Sequence, residues 1–300
     1  MLSKTATKLG SREKRSGILM TLPAILVMIA TVLYPIGWSL LLSFSDSASV
    51  FSGKFDFIGF DNYIKAIQSS DFQNALVNTL KFVACTIVLE IIVGFIVSLT
   101  LNSQPPGHKV FKLLYTLPLM IAPLVSGLQW RWMLTDQYGV VNNILSIFGV
   151  KGPTWFANPT SAFAAIILAN VWLAVPFCIL VLVSALLSLP ETLYEAGRLD
   201  GANLIQEFWY ITLPQLKYTI LTILVIRLAD AFRVFDIVYV LTSGGPGNST
   251  EVASTYIYTT SFTRLHFGVG AAASFMSLII VGIACFTLFK LMGDSEEDVM

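Results

Sequence analysis

The chain has 300 residues, of which 55% are hydrophobic and only 12% are charged, and its mean hydropathy is +0.76. A soluble domain carries about 25% charged residues, so this composition excludes an ordinary soluble domain and indicates a membrane protein. The 18 Lys and Arg balance the 18 Asp and Glu, which leaves no basic field for a nucleic acid and no long acidic tail.

Six apolar stretches are long enough to cross the bilayer, since a spanning helix needs about 20 such residues. In chain order, the predicted spans are 17–44, 76–101, 113–130, 161–189, 217–242 and 267–289. We therefore predict an all-α polytopic fold with six spans. Residues 17–292 form the membrane domain, 1–16 an N-terminal segment and 293–300 a C-terminal tail.

The first span follows a basic segment, a pattern that secretory signal peptides share. Its apolar stretch exceeds the usual core of about 7–15 residues and no small-residue cleavage pattern follows, so we expect a retained helix. Five basic residues precede this span, whereas four aspartates and two lysines follow it. The positive-inside rule thus predicts a cytoplasmic N-terminus. Six spans return the C-terminus to that side, together with the loops 102–112 and 190–216.

Prolines interrupt three predicted spans, at Pro23 and Pro35, at Pro118 and Pro123, and at Pro176. Neighbouring helices can satisfy the carbonyl groups that a proline frees, so we favour tolerated kinks over unwound segments that line a ligand path. Neither an internal repeat nor an inverted pair of similarly broken helices is visible in the sequence. Their absence disfavours a secondary transporter.

The sequence has no motif for catalysis or for binding a cofactor. It contains neither a phosphate-binding G-x-x-x-x-G-K-[ST] loop nor an H-E-x-x-H zinc motif, and His108 and His266 fall in loops on opposite predicted faces. Cys85, Cys178 and Cys285 each lie within an apolar run, which is typical of small buried side chains rather than of disulfides or metal ligands. We predict no catalytic residue, no metal site and no bound cofactor.

The loop between the fourth and fifth spans is predicted to hold two short helices. Ser188 and Glu191 match a capping box for the first helix, with Pro190 in its first turn. Asp200 and Gly201 mark the end of this helix. Its amphipathic pattern predicts a rigid cytoplasmic elbow, residues 190–214, with a charged outer surface.

The second of these helices starts at Asn203, with Gln206 three residues later, and Pro214 ends it before the fifth span. On the first helix, Glu191, Glu195 and Arg198 share a charged face by their i,i+4 and i,i+3 spacing. One explanation of the elbow is a capped connector that lies on the lipid headgroups. Its motif spacing favours another explanation.

The elbow resembles the signature of binding-protein-dependent ABC importer permeases, which reads E-A-A, three residues, G, nine residues, I-x-L-P. Six of the seven defined positions match, at Glu195, Ala196, Gly201, Ile211, Leu213 and Pro214. Gly197 replaces the second alanine, which keeps the position small but changes the stiffness expected of the helix. The resemblance implies a type I ABC importer fold whose elbow is a coupling helix docked on an ATPase subunit. It assigns this contact to Glu195, Ala196, Gly197, Arg198, Asp200, Gly201, Ala202 and Phe208.

Three flanking segments resemble the first of the two permease subunits in carbohydrate importers of the maltose and trehalose type. They are residues 22–46, the FIGFDNY segment at 57–63, and residues 230–250. This resemblance implies that the solute is a sugar, glycoside, polyol or glycerol phosphate ester. It also implies a second permease, two ATPase subunits that carry ATP and Mg²⁺, and an extracytoplasmic solute-binding protein, at a bacterial or archaeal inner membrane. The sequence does not identify the sugar.

The fifth predicted span contains four ionisable residues, Arg227, Asp230, Arg233 and Asp236. A charge at the bilayer centre costs about 2.5–3.5 kcal/mol on the insertion scale, so these charges need compensation. Steps of three residues place Asp230 beside both arginines. Two explanations stay open: an ion cluster within the helix, and an array that binds sugar hydroxyls.

Two further residues are candidates for the substrate pathway. Glu90 lies alone in the second span and is explained by pairing with a neighbouring subunit, by protonation or by facing the cavity; structural pairing is favoured. Trp172 is explained by packing or an interfacial position, with stacking on a sugar left open. An ion-coupled carrier that uses Asp230 or Glu90 is the alternative function. A membrane enzyme or scaffold is another, and neither class explains the coupling signature.

Overall fold

The computed structural model describes residue 16 and residues 18–47, 55–103 and 106–297, with side chains as far as residue 290. The described chain is helical, and its β structure is one isolated bridge between Ser45 and Phe57. This confirms the predicted all-α class. The predicted N-terminal segment 1–16 lies, apart from Ser16, outside the described residues, as does the end of the predicted tail 293–300.

We number the helices in chain order. They are α1 (Ile18–Ser43), α2 (Asp61–Gln68), α3 (Ser70–Asn102), α4 (His108–Met120), α5 (Pro123–Met133), α6 (Val140–Ile147), α7 (Pro159–Leu186), α8 (Glu191–Leu199), α9 (Leu204–Gln215), α10 (Lys217–Phe232), α11 (Asp236–Leu241), α12 (Ala253–Tyr258) and α13 (Phe267–Glu297). Among the described residues, α1, α3, α7 and α13 are long and apolar enough to span a membrane alone. The six-span prediction agrees with this set when the bent pairs α4–α5 and α9–α10 each count as one span.

The third predicted span, 113–130, is not one continuous helix. It breaks between Met120 and Pro123, and the two helices meet at an angle of 105°. Pro123 is the first residue of α5, where its missing N–H is harmless and its ring ends the preceding helix. The favoured kink is therefore wrong for this span, whereas Pro176 lies within the continuous helix α7.

The fifth predicted span, 217–242, also has different bounds. Helix α10 ends at Phe232, Val234 and Phe235 are not helical, and α11 begins at Asp236. Charged residues around Arg233 make a continuous apolar helix costly here. The break places Arg233 just after α10 and Asp236 at the start of α11, while Arg227 and Asp230 stay within the last two turns of α10.

The described residues up to 66 form the first compact unit together with residues 260–275. A π-helical turn, Ile29–Leu33, precedes Pro35 in α1 and accommodates a proline that a regular helix would not. At the end of α1, the Asn62 side chain donates to the carbonyls of Ser43 and Ser45 over 3.1 and 2.8 Å. These contacts hold the FIGFDNY segment against the end of the first span.

The second compact unit consists of residues 67–259 and 276–300. Its core packs α3 against α7 and α10, with fully buried side chains such as Phe82 and Ile166. Helix α11 packs closely on α5 because Gly127 has no side chain: a Cβ there would lie 3.2 Å from Cβ of Val240. The cavity and the elbow described in the next subsection both belong to this unit.

Candidate functional site

An open cavity of about 480 Å³ lies where the two helix breaks meet α7. Leu119 and Pro123 line it on either side of the α4–α5 break, and residues 233–236 line it at the α10–α11 break. Asn170 and Phe177 contribute the α7 wall. Both departures from continuous helix thus border the same space, as expected where irregular backbone lines a cavity.

A buried ion pair joins α3 to α10 beside this cavity. Arg227 donates from Nε and Nη2 to the two carboxylate oxygens of Glu90, over 2.7 and 3.1 Å. The side chain of Glu90 is fully buried and that of Arg227 is 10% exposed. Asn170 of α7 donates to the same carboxylate over 3.2 Å. The bidentate geometry compensates two charges that would be costly alone.

The pair continues toward the open cavity through Asp230. Its carboxylate accepts from Nη1 of Arg227 over 3.3 Å and from Nη2 of Arg233 over 2.8 Å. The side chains of Asp230 and Arg233 are 37% and 81% exposed. The ion cluster inferred from the spacing is therefore present, while the role of Asp230 and Arg233 toward a solute stays a prediction.

Two parts of this arrangement differ from the sequence-based expectation. Glu90 pairs with Arg227 of its own chain and not with a neighbouring subunit, because α3 and α10 pack together. Asp236 lines the cavity as the first residue of α11 and forms none of the ion pairs found among the described residues. Sequence spacing does not report which helices pack together.

Trp172 is not among the described residues that line the cavity. Its ring meets Trp130 edge to face, with centroids 6.0 Å apart, which is the packing explanation. The sequence analysis missed Asn170 and Phe177. A signal for Asn170 existed, because it is the one side-chain amide of the predicted fourth span.

The cavity offers both acceptors and donors of hydrogen bonds. Asp230 accepts hydrogen bonds and Arg233 donates them in fixed directions, which suits hydroxyl groups that do both. Phe177 and Phe235 add aromatic lining, and such rings provide an apolar surface for the carbon face of a ring.

The second feature is the elbow, which begins with α8. Pro190 is its N-cap and no side chain caps it, so the predicted Ser188–Glu191 capping box is wrong. The Ser188 hydroxyl instead donates to the carbonyl of Ala185 over 2.7 Å. Because this hydroxyl bonds to the last turn of α7, it does not cap α8. The residue before α8 is Pro190, whose backbone is extended.

Helix α8 ends at Leu199, and the predicted Asp200 and Gly201 follow as its C-cap and the next residue. The φ of Gly201 is +84°, and two backbone bonds close the end: Gly201 N–H to the carbonyl of Arg198 at 3.1 Å, and Ala202 N–H to that of Gly197 at 2.9 Å. This pair of bonds is a Schellman motif, which requires a left-handed residue. The glycine therefore fixes the direction in which the chain leaves α8.

Three contacts hold α8 on α9. Nε of Arg198 donates to Glu207 over 3.0 Å, so Arg198 pairs across the elbow and not with the acids of its own helix. The hydroxyls of Tyr194 and Thr212 lie 3.0 Å apart. A Cβ at Gly197 would lie 2.8 Å from Cδ1 of Ile211, which explains why the smallest residue fits at this motif position.

Helix α9 starts after Asn203, as predicted, and Asn203 and Gln206 form a capping box there. Asn203 accepts from the N–H of Gln206, and the Gln206 side chain accepts from the N–H of Asn203, both over 2.9 Å. A π-helical turn, Glu207–Thr212, follows. The axis then bends by 67° into α10, two residues after the predicted break at Pro214.

The outer surface of the elbow is more apolar than predicted. Glu195 and Ala196 are exposed as expected, but large apolar side chains are exposed beside them: Leu199 at 89%, Leu204 at 79%, Ile205 at 70% and Tyr210 at 79%. Large exposed apolar side chains near charged residues are typical of a protein interface.

Phe208, which the resemblance places in the ATPase contact, is half-buried. Its ring meets Phe95 of α3 edge to face, with centroids 5.5 Å apart, and it packs with Leu213 and Ile220 around a buried cluster. It therefore joins the elbow to α3.

Comparisons with known proteins agree with this arrangement. Residues 90–294 match a family model described as binding-protein-dependent transport system inner membrane component. A trehalose/maltose transport system permease protein of Thermococcus litoralis is 34% identical over 281 residues, covering 94% of this chain and 95% of that protein. A sulfoquinovosyl glycerol transport system permease protein of Agrobacterium fabrum is 35% identical over 261 residues, covering 87% and 84%.

A solved structure has the same fold. It is a bacterial alginate ABC transporter in complex with an alginate pentasaccharide-bound periplasmic protein. The matching chain has a TM-score of 0.78 and 25% identity, over 93% of this chain and 94% of that one.

Proposed function

Because this chain belongs to the family of binding-protein-dependent transport system inner membrane components, we propose that it forms half of the pathway for a sugar, glycoside, polyol or related solute, driven through its 190–214 elbow by ATPase subunits. It is a carbohydrate ABC importer permease subunit of the inner membrane. Such subunits transport and are not enzymes. In this proposal, ATP and Mg²⁺ are bound by the partner ATPase subunits.

The geometry of the elbow is the observation that carries this proposal. The short helix α8 is fixed at its end by Gly201 and is tied to α9 by the ion pair of Arg198 and Glu207. The ring of Phe208 in α9 packs against α3. The outer surface of the elbow offers Glu195 beside exposed apolar side chains. A rigid element with an interface-like surface can transmit a displacement, because packed elements move as units.

The proposed assembly contains a second, homologous permease, two ATPase subunits and an extracytoplasmic solute-binding protein, with both termini of this chain in the cytoplasm. The alginate transporter with its periplasmic protein supports such an assembly by its likeness to this chain. The uncovered apolar length of α1 supports it as well, since this surface suits lipid or a second membrane subunit.

The cavity is the proposed place of solute contact. Asp230 and Arg233 are its exposed ionic groups, and the buried pair of Glu90 and Arg227 holds them in place. The carbohydrate transporters among the relatives support a polyhydroxyl solute. The exposed acid and base provide the directional hydrogen bonds that such a solute needs.

Cysteine cross-linking in the assembled complex tests the docking proposal. Leu199→Cys, on the outer surface of the elbow, is expected to cross-link to the ATPase subunit. Tyr138→Cys is the matched control, because Tyr138 is 82% exposed and lies in the loop between the third and fourth spans. Cross-linking of the ATPase at residue 138 and not at residue 199 would reverse the proposed orientation and refute docking at the elbow.

A further inference from the structure

A second cavity, of about 330 Å³, is lined by basic side chains that the proposed function does not use. His108, Lys109 and Lys112 of α4 line it together with Tyr115. Among the described residues that line it, none is acidic. The described lining of the cavity therefore offers positive charge and a hydroxyl donor, the groups that bind a phosphate.

The opposite side of α4 is apolar and exposed. Val110, Phe111, Leu113 and Leu114 are each between 55% and 62% exposed, which in a membrane subunit suits contact with acyl chains. One helix thus presents apolar side chains outward and cations to a cavity. This arrangement is typical of an element that lies where acyl chains meet headgroups.

The other wall of the cavity fixes its depth in the membrane. Leu101 is near the end of α3, and Val183 and Leu187 are at the end of α7. Helix α8 starts four residues after Leu187, so the cavity is on the same face as the elbow. In the proposed orientation this is the cytoplasmic headgroup layer.

We propose that this cavity binds the phosphate of an anionic phospholipid, with Lys109 and Lys112 as its principal contacts. Basic pockets between membrane helices on the cytoplasmic side bind such headgroups, and Leu101, Val183 and Leu187 accommodate the glycerol and upper acyl chain. Because Leu187 leads into the elbow, the bound lipid steadies the junction from which α8 emerges.

Native mass spectrometry of the purified complex, exchanged into neutral lipid and titrated with a phosphatidylglycerol, tests this site. The Lys109→Gln/Lys112→Gln variant is expected to weaken lipid binding about 30-fold, since each lysine near the headgroups contributes about fivefold. Lys290→Gln is the matched control, because Lys290 is an exposed lysine at the cytoplasmic end of α13. It is expected to keep wild-type affinity.

A second variant tests the cavity without changing its charge. Leu187→Trp, at a side chain that is 60% exposed, fills the space and is expected to displace the lipid while the complex stays assembled on size exclusion. Equal lipid affinity in wild type and both cavity variants would overturn the proposal. So would displacement of the lipid by millimolar inorganic phosphate, which would identify a soluble phosphate as the occupant.

Discussion

Glu90 and Arg227 are the charges that the bilayer constrains most, because both are buried among membrane helices. Each satisfies the other, and Asn170 adds a third hydrogen bond. The cavity residues Asp230 and Arg233 depend on this pair for their positions, since Asp230 accepts from both arginines. Substitutions at the buried residues and at the exposed residues of this network should therefore have different effects.

Removing one partner of the buried pair should destabilise the complex. Arg227→Gln leaves the Glu90 carboxylate uncompensated, at a cost of about 3–5 kcal/mol, and lower thermal stability in detergent is expected. Adding Glu90→Gln should restore part of the loss, because two neutral amides leave no buried charge. Arg233→Gln is the control, since that side chain is 81% exposed. Equal stability of all four proteins would contradict the role of the pair.

Changing the exposed acid should affect transport more than assembly. Asp230→Asn keeps the size of the side chain but loses the negative charge and one of the two oxygens that accept from Arg227 and Arg233, so reduced uptake and an altered preference among sugars are expected in proteoliposomes. Asp136→Asn, outside the cavity, is the comparison for nonspecific effects. If Asp230→Asn instead lowers assembly and the Asp230→Asn/Arg233→Gln protein regains it, the cluster is structural only.

The elements show what local sequence signals can predict. Gly201 and the Asn203–Gln206 box were predictable because a helix end and a cap depend on neighbouring residues. The Ser188 cap was wrong because the last turn of α7 holds that hydroxyl. The α4–α5 and α10–α11 breaks were missed because apolar composition predicts the length of a span but not its continuity. The pairing of Glu90 with Arg227, 137 residues away, depends on tertiary packing.

Two glycines of the elbow should respond differently to substitution. Gly201→Val forces a β-branched residue into left-handed backbone, a strain of about 1–3 kcal/mol, although a Cβ there meets nothing within 4 Å. We expect it to impair ATPase association, while Gly201→Asn, which tolerates this conformation, largely preserves it. Gly197→Ala should be mild, because the tip of Ile211 can shift. Equal association of Gly201→Val and Gly201→Asn would exclude a backbone role.

At the scale of the whole molecule, the chain is an all-α membrane subunit with a cavity and an elbow. The sequence contains no phosphate-binding loop, and the family consists of components of larger transport systems. The composition and the elbow signature sufficed to predict this architecture. The solute was not predictable, because the cavity proposed to contact it is lined by residues of several helices, and the sequence does not state how these helices pack.

The isolated subunit should therefore neither hydrolyse ATP nor transport. Purified alone in liposomes, it lacks the second permease and the ATPase subunits of the proposed assembly, so no uptake of the labelled solute that the binding protein binds is expected with or without ATP. The complete complex in matched liposomes is the positive control for ATP-driven uptake. Solute movement by the single chain down a proton or sodium gradient would instead support an ion-coupled carrier.

The central claim is that the elbow couples ATP hydrolysis to transport, and one measurement tests it most directly. Binding-protein-stimulated ATP hydrolysis is compared in reconstituted complexes with Glu195→Lys and with Glu191→Lys, an exposed acid one turn earlier on the same helix. Glu195→Lys should lose most of the stimulation because a repulsive or unpaired charge enters the contact, while Glu191→Lys keeps it and solute binding by the secreted protein is unchanged. Full stimulation in the Glu195→Lys complex would contradict the account.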